Sequence, residues 1–295
     1  MIKPIGALSF SGDEMSQTIN VGILKAGCIG TLPLLEFLLD ERADRRDISV
    51  TVIGSGAKLG VEECREKAEI MVKVKPDLVI LAGPAQAAPG PTEARNILRS
   101  SGIPTIVISD SPAKKLRKTL EKEGFGYIIV EADSMIGARR EFLDPTEMAI
   151  YNSDVIRVLA VTGALRVIVE EIDRVIEALK RGEEPALPRL VIDKNTIMER
   201  RGFSNPYSKA KAIAAYEISR RVADINTEAC FKVSEWEVYT ELVAAGHEMM
   251  RVAARLVDEA REVEKMNDSV LRTPHFGDGS RGEKSSLIEK PRRGG

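Results

Sequence analysis

Residues 78–91 read LVILAGPAQAAPGP. The first five are apolar without interruption, the pattern of a strand buried on both faces rather than one that alternates toward water. The nine that follow are Gly, Pro and Ala around a single polar residue, Gln86, too stiff and too apolar for an ordinary exposed linker. Runs of the same kind recur at 21–24, 50–53, 105–109 and 127–130, each about 22 to 29 residues from the next. Helix-like segments lie between them, around 32–40, 61–74, 92–99 and 113–123. Apolar strands alternating with helices imply βαβ units with right-handed crossovers. The reading is an α/β fold: a parallel, Rossmann-like sheet with helices on both faces.

Past Asp144-Pro145 the periodicity becomes helical. Residues 147–180 carry a stripe that includes Val155, Leu159, Ile168, Ile172 and Ile176, with Gly163 as a break or kink and Gly182 then Pro185 as a stop. A short apolar run at 190–193 is a further strand candidate. Asn205-Pro206 reads as a helix start. Ser234-x-x-Glu237 reads as a capping box that opens a helix to about Asn267. Its seam (Trp236, Tyr239, Val243, Met250, Val257, Ala260) would extend about 50 Å and calls for a bundle shared with another subunit. The expected organisation is an irregular extension at 1–20, without the features of a signal peptide, and an α/β domain at 21–145 with ligand-binding loops. A smaller, mainly helical domain and oligomer core follow at 146–276. The polar tail at 277–295 is either flexible or a short docking strand near 286–288.

Composition narrows the chemistry. Lys and Arg number 43 against 45 Asp and Glu, so the chain lacks the basic excess of a nucleic-acid binder. No apolar run is long enough for a membrane span. Cys28, Cys64 and Cys230 are widely spaced, which suits a reducing cytoplasm and gives no metal-ligand spacing. The only histidines are His247 and His275, and neither sits in a nucleophile motif. The sequence points away from hydrolysis and toward binding, or toward chemistry that a cofactor carries.

In an open parallel sheet, ligands bind beyond the carboxyl ends of the strands. The five segments there read KAGCIGT (25–31), GSGAKLG (54–60), GPAQAAPGP (83–91), SDSPAKK (109–115) and EADSMIGARREF (131–142). Gly27, Cys28, Ile29 and Gly30 precede a helix, and the spacing reads equally as a phosphate cradle or as a plain turn. Gly54, Ser55, Gly56 and Lys58 form an anion candidate, the alternative being a solvated lysine. Gly83, Pro84, Ala88, Pro89, Gly90 and Pro91 suggest a wall for a flat ring, or a loop packed on its own sheet. Gly137, Arg139 and Arg140 offer two guanidinium groups to a carboxylate or phosphate. The mixed charges at 40–47 read as a solvated face. His247 reads as structural, and His275 as a group that reaches a ligand or a neighbouring subunit.

The segments GILKAGCIG, LLDERADR, GPAQAAPGP, GARREFLDPTEMA, LVIDKNT, HEMMR and EKMNDSVLRTPH resemble the coenzyme F420-dependent methylenetetrahydromethanopterin dehydrogenases of archaea, over 21–275. The family's third loop usually reads GGPNPAAPGP. Here Ala82, Ala85 and Gln86 differ, and Cys28 stands where Asn is common. The resemblance implies a cytoplasmic homohexamer built as a trimer of dimers, with an α/β domain and a smaller helical domain. It implies reversible hydride transfer between methylenetetrahydromethanopterin and oxidised coenzyme F420, a dissociable co-substrate, with no metal and no bound flavin. On that basis Lys58 and the glycine-rich turns hold the coenzyme's phosphate. Arg139 and Arg140 meet an acidic tail of one carrier. Ser109, Asp110, Asp133, Met135, Gly137 and His275 face the pterin. Asp110, Asp133 and Glu141 are candidates for stabilising the positive charge that develops on it. The rival readings are a nicotinamide-dependent reductase and a non-catalytic oligomeric binding protein.

Overall fold

The computed structural model describes residues 18–33, 35, 45–134, 144–199 and 202–294. Strands β1 (Ile19–Lys25), β2 (Ile48–Gly54), β3 (Leu78–Ala82), β4 (Thr105–Asp110), β5 (Gly126–Val130) and β6 (Arg189–Ile192) form one parallel sheet in the order β2-β1-β3-β4-β5-β6. All five expected strands are present. The run at 190–193 is the sixth: it pairs with β5 at the sheet edge, although it comes from the segment expected to be helical. Strand β1 also begins earlier than expected, so Ile19 and Asn20 pair with β2 instead of belonging to an extension.

Side-chain alternation along the strands divides the interior into two cores. Val21, Ile23, Ile80, Ile106, Ile108, Ile128 and Val130 face one layer. Val79, Leu81, Val107, Tyr127 and Ile129 face the other. The second layer is made of α1 (Val61–Val74), α2 (Pro89–Ser101) and α3 (Arg117–Lys122), which bury Ala68, Met71, Leu98 and Leu120. A 3-10 segment at Ser111–Leu116 leads into α3, so the helix expected at 113–123 is broken in two. The first layer is α4 (Pro145–Thr162), α5 (Ala164–Lys180), α7 (Pro206–Phe231) and α8 (Trp236–Met266), with the short α6 (Lys194–Glu199) following β6. Each fully buried Leu, Ile or Val contributes roughly 1.5–3 kcal/mol, so this two-sided burial is the main force holding the sheet between its helices.

Helix α8 spans 31 residues, about 46 Å at the standard rise. Its apolar seam finds partners within the chain. Tyr239 and Val243 pack with Ala229 of α7, and Met250, Ala253 and Val257 pack with Tyr216 and Val222 of α7 in the larger core. The expected capping box does not form. Glu235 is the N-cap and its side chain makes no capping bond, because the helix starts one residue later than the motif requires. The other end of α8 is fastened by a group the sequence reading missed. The buried Glu264 accepts the backbone N–H groups of Ser204 (3.1 Å) and Asn205 (2.9 Å) and the hydroxyls of Ser204 and Ser269. Asn205 in turn caps α7 by accepting from the N–H of Tyr207 and Ser208, as expected.

The tail is docked. Strands β7 (Leu271–Arg272) and β8 (Ser285–Ser286) pair antiparallel. The segment between them reaches the amino ends of the parallel strands, where Arg46 N–H donates to the Gly277 carbonyl at 2.8 Å. Below it lies a cluster of charges. Asp47 accepts from Arg45 and pairs with Lys180 at 2.6 Å, while Asp173 pairs with Arg281 at 2.5 Å and His275 at 3.3 Å.

Candidate functional site

The sheet order places the site. The chain moves outward from β1 to β2, then returns to lay β3 on the other side of β1. Residues after β1 enter the first layer, where Leu32 and Leu35 are buried. Residues after β3 enter the second layer, where Ala94 and Leu98 are buried. The two connections diverge above adjacent strands and open a crevice at the carboxyl edge, the topological switch point of such a sheet.

Small residues let this crevice exist. Ala26 N–H donates to the Ala82 carbonyl at 2.9 Å, which brings the backbones together. A Cβ on Gly83 would sit 1.8 Å from the Ala26 carbonyl oxygen, so only glycine fits there. Gly30 is equally confined: a Cβ would meet Val155 at 2.3 Å and Asp133 Oδ1 at 2.8 Å. The neighbouring loop is stitched on by Gly27 N–H to Ser55 Oγ (3.3 Å), by Ser55 Oγ to the Lys58 carbonyl (2.7 Å) and by the Cys28 thiol to the Gly56 carbonyl (3.8 Å).

Beneath the crevice lie two buried carboxyls. Asp133, just past β5, accepts the Gly30 N–H (2.6 Å), the Thr31 N–H (2.8 Å) and the Thr31 hydroxyl. Burial nevertheless pushes its pKa up to about 7, with the nearby Asp110 charge adding to the rise. Asp110, at the end of β4, is also raised by burial, to about 6, although the Ser109 hydroxyl and the Ala85 N–H favour its charged form. Ser109 Oγ lies 2.8 Å from the Gly83 carbonyl and 3.2 Å from Asp110 Oδ1. Ser109, Asp110, Asp133, Gly27, Gly30 and Gly83 are thus brought together at this edge.

Other expectations shift. Pro89, Gly90 and Pro91 are not loop but the first turn of α2, where Gly90 and Pro91 are buried. A Cβ on Gly90 would strike the Leu59 carbonyl at 2.2 Å, so this residue lets the helix seat closely under the β2 loop. The Lys58 ammonium is exposed and lies 3.8 Å from Glu63. His275 does not join the crevice of its own chain. It lies beside Asp173 in the charged cluster under the docked tail, since the sequence gives no cue to which end of the sheet that segment returns. Met135, Gly137, Arg139, Arg140 and Glu141 lie outside the described residues, as do 40–44 of the mixed-charge run. Of that run, Arg45 and Asp47 are buried partners, not a solvated face.

Several residues escaped the sequence reading. Gln86 is buried, and its amide donates to the Gly83 carbonyl at 3.1 Å. Its own carbonyls accept from Arg95 at 2.5 and 3.1 Å. A hydrogen-bonded pair thereby stiffens the loop where the related pattern has proline. Behind Asp133, Ser134 Oγ lies 2.7 Å from Tyr151 OH, to which Asn226 also donates at 2.7 Å, and Tyr151 stacks on His247 with centroids 4.0 Å apart. Burial holds His247 down at about 4, so it is neutral at ordinary pH. Only the polar residues on otherwise apolar helical stripes hinted at this network.

A switch-point crevice at the carboxyl edge of a parallel sheet, with two buried carboxyls held beside it, defines an α/β protein of the ligand-binding kind. Comparison with known proteins identifies which. Residues 19–292 match the model of the methylene-5,6,7,8-tetrahydromethanopterin dehydrogenase family, and the chain belongs to that family. It is 53% identical over 276 residues to the F420-dependent methylenetetrahydromethanopterin dehydrogenase of Methanocaldococcus jannaschii, and 54% identical over 275 residues to that of Archaeoglobus fulgidus. Both alignments cover 93% of this chain and 100% of the relative. A solved structure of such a dehydrogenase, in complex with methylene-tetrahydromethanopterin and coenzyme F420, superposes with a TM-score of 0.89 at 46% identity. It covers 94% of this chain and 100% of its own.

Proposed function

We infer that this chain is an F420-dependent methylenetetrahydromethanopterin dehydrogenase, an oxidoreductase of archaeal one-carbon metabolism. It moves a hydride reversibly from the methylene carbon of 5,10-methylenetetrahydromethanopterin to oxidised F420, leaving the methenyl cation and reduced F420. The coenzyme, when bound, supplies the hydride acceptor in its flat deazaflavin ring. The observation that carries the reading is the divergence of the β1 and β3 connections at the carboxyl edge, where the Ala26 and Gly83 backbones pack directly on each other.

The protein's part is alignment. Direct transfer needs the reacting carbons about 3–3.5 Å apart, and fixing them there removes much of the entropic barrier. Gly83, Pro84 and Gln86 hold the third loop, and Asp133 holds the first through Gly30 and Thr31. We assign Asp133 as a positioning residue, because its oxygens are occupied by those donors. We assign Asp110, when ionised, to offset the positive charge that develops on the pterin, since fixed negative charge in a water-poor site lowers such a barrier. Gly54, Ser55, Gly56, Lys58, Cys28 and Ile29 are assigned to the coenzyme side, and Ser109 to the pterin side.

The same reading assigns the enzyme to the cytoplasm as a homohexamer built as a trimer of dimers, with 21–145 as the carrier-binding unit and the helical segment as the assembly core. Three cysteines that form no disulfide among the described residues and exposed aromatics at the α7–α8 turn, Phe231 (61%) and Trp236 (60%), support it. The deciding assay follows deazaflavin absorbance after methylene pterin is added. Rapid bleaching, with kcat lowered at unchanged KM in Asp110→Asn, is expected. Persistent absorbance in the wild type defeats the assignment.

A further inference from the structure

Between α5 and the returning segment 271–287 lies a cavity of about 370 Å³ that contains no residue of the loops at the sheet's carboxyl edge. Its charge is unbalanced. Arg166, Arg261, Arg272, Arg281 and Lys284 line it against Glu170 and Asp173, in a chain whose net charge is −2. Some of these cations are committed. Arg281 pairs with Asp173 at 2.5 Å, and Arg272 donates to the carbonyls of Ser286 and Glu289.

Arg166 on α5 and Arg261 on α8 are not committed. Among the described residues neither makes an ion pair or a hydrogen bond. Burial and then the neighbouring Arg166 charge lower the pKa of Arg261, while Glu262 opposes. The Glu262 carboxylate is itself held by Lys265. Five cations face two carboxylates in this cavity, and two half-buried guanidinium groups without a hydrogen-bond partner of their own among the described residues are free to take an anion between them.

We propose that this cavity binds a small oxyanion of two or more negative charges, clasped by Arg166 and Arg261 with Lys284 adding charge from the exposed side. Guanidinium forks match the oxygens of phosphate and carboxylate groups. That chemistry is carried by free inorganic phosphate or by the acidic tail of a larger metabolite. The site shares no residue with the hydride crevice, and its affinity for phosphate is read whether or not the assignment of carriers there holds.

Inorganic phosphate, titrated into the full-length protein by calorimetry at constant ionic strength, should give saturable binding of one anion per chain. Arg166→Gln and Arg261→Gln should each weaken it at least tenfold, and Lys284→Gln, on an exposed side chain, about threefold. In the same variants, unchanged KM for both carriers identifies a free anion as the ligand. A raised KM for one carrier with kcat retained identifies that carrier's tail. No saturable phosphate binding by the wild type, or equal affinity in all three variants, overturns the proposal.

Discussion

The Asp133 carboxylate accepts the backbone N–H of Gly30 at 2.6 Å across 103 residues of sequence. The bond joins the end of β5 to the connection leaving β1, although β3 and β4 lie between those strands in the sheet. The first loop of the crevice is therefore set by a residue from the far side of the fold.

Asp133→Asn should loosen that loop. The amide presents a donor where an acceptor is needed, and it leaves Gly30 or Thr31 N–H unsatisfied in a dry site. The expected loss is about 1–3 kcal/mol of stability, with turnover falling at least tenfold. Urea unfolding and steady-state kinetics check both. Wild-type values for the variant would remove Asp133 from its positioning role.

Gly30→Ala should be worse tolerated than its size suggests. The new methyl group meets Val155 and Asp133 inside contact distance, and overpacking of this kind costs about 1–3 kcal/mol. Val155→Ala in the same chain should restore part of the loss. A thermal melt of the double variant reads the rescue, and no recovery would mean that the clash is not with Val155.

Ala85 stands at φ 51°, in the left-handed region. A residue with a Cβ is disfavoured there by roughly 1–2 kcal/mol, less for Asn. The related loop pattern has Asn at this position, and Ala85→Asn should raise stability by about 0.5–1 kcal/mol. Differential scanning calorimetry tests the sign. Destabilisation would show that the strain is already relieved by the Ala85 N–H bond to Asp110.

Acid stability should hang on Glu264. Burial opposes its charge, but donors from Ser269, Asn205 and Ser204 outweigh burial and hold it at about 2. A carboxyl whose folded pKa lies below its unfolded value of about 4.5 stabilises the fold above that value. The contribution is lost as pH falls toward 2. Glu264→Gln should remove on the order of 3 kcal/mol at neutral pH and flatten the stability profile between pH 4.5 and 2. An unchanged slope in pH-dependent chemical denaturation would contradict this.

The strands were readable because parallel strands bury both faces, so LVILA or YIIV carries no competing polar pattern. Even β6 announced itself as four apolar-rich residues. The small residues of the carboxyl-edge loops located the crevice for the same reason, since backbone that must touch backbone cannot carry side chains. Partners distant in sequence were not readable. Nothing local to Asp133 says that it will meet Gly30, and nothing local to Glu264 says that it will meet Ser204. The Asp173 partner of His275 was hidden too, because a motif carries no information on which rim its segment will reach. The capping box at Ser234 failed because a local motif competes with tertiary packing that starts the helix one residue later.

The docked tail bears on how the molecule is made. Gly277 and Arg281 complete the rim that Arg46, Asp47 and Asp173 begin. During synthesis the sheet's first two strands emerge more than two hundred residues before the peptide that seals them. Nascent chains must therefore carry an open, charge-rich mouth until translation nears its close, and a ribosome stalled before residue 270 would release a sheet with that mouth unsealed.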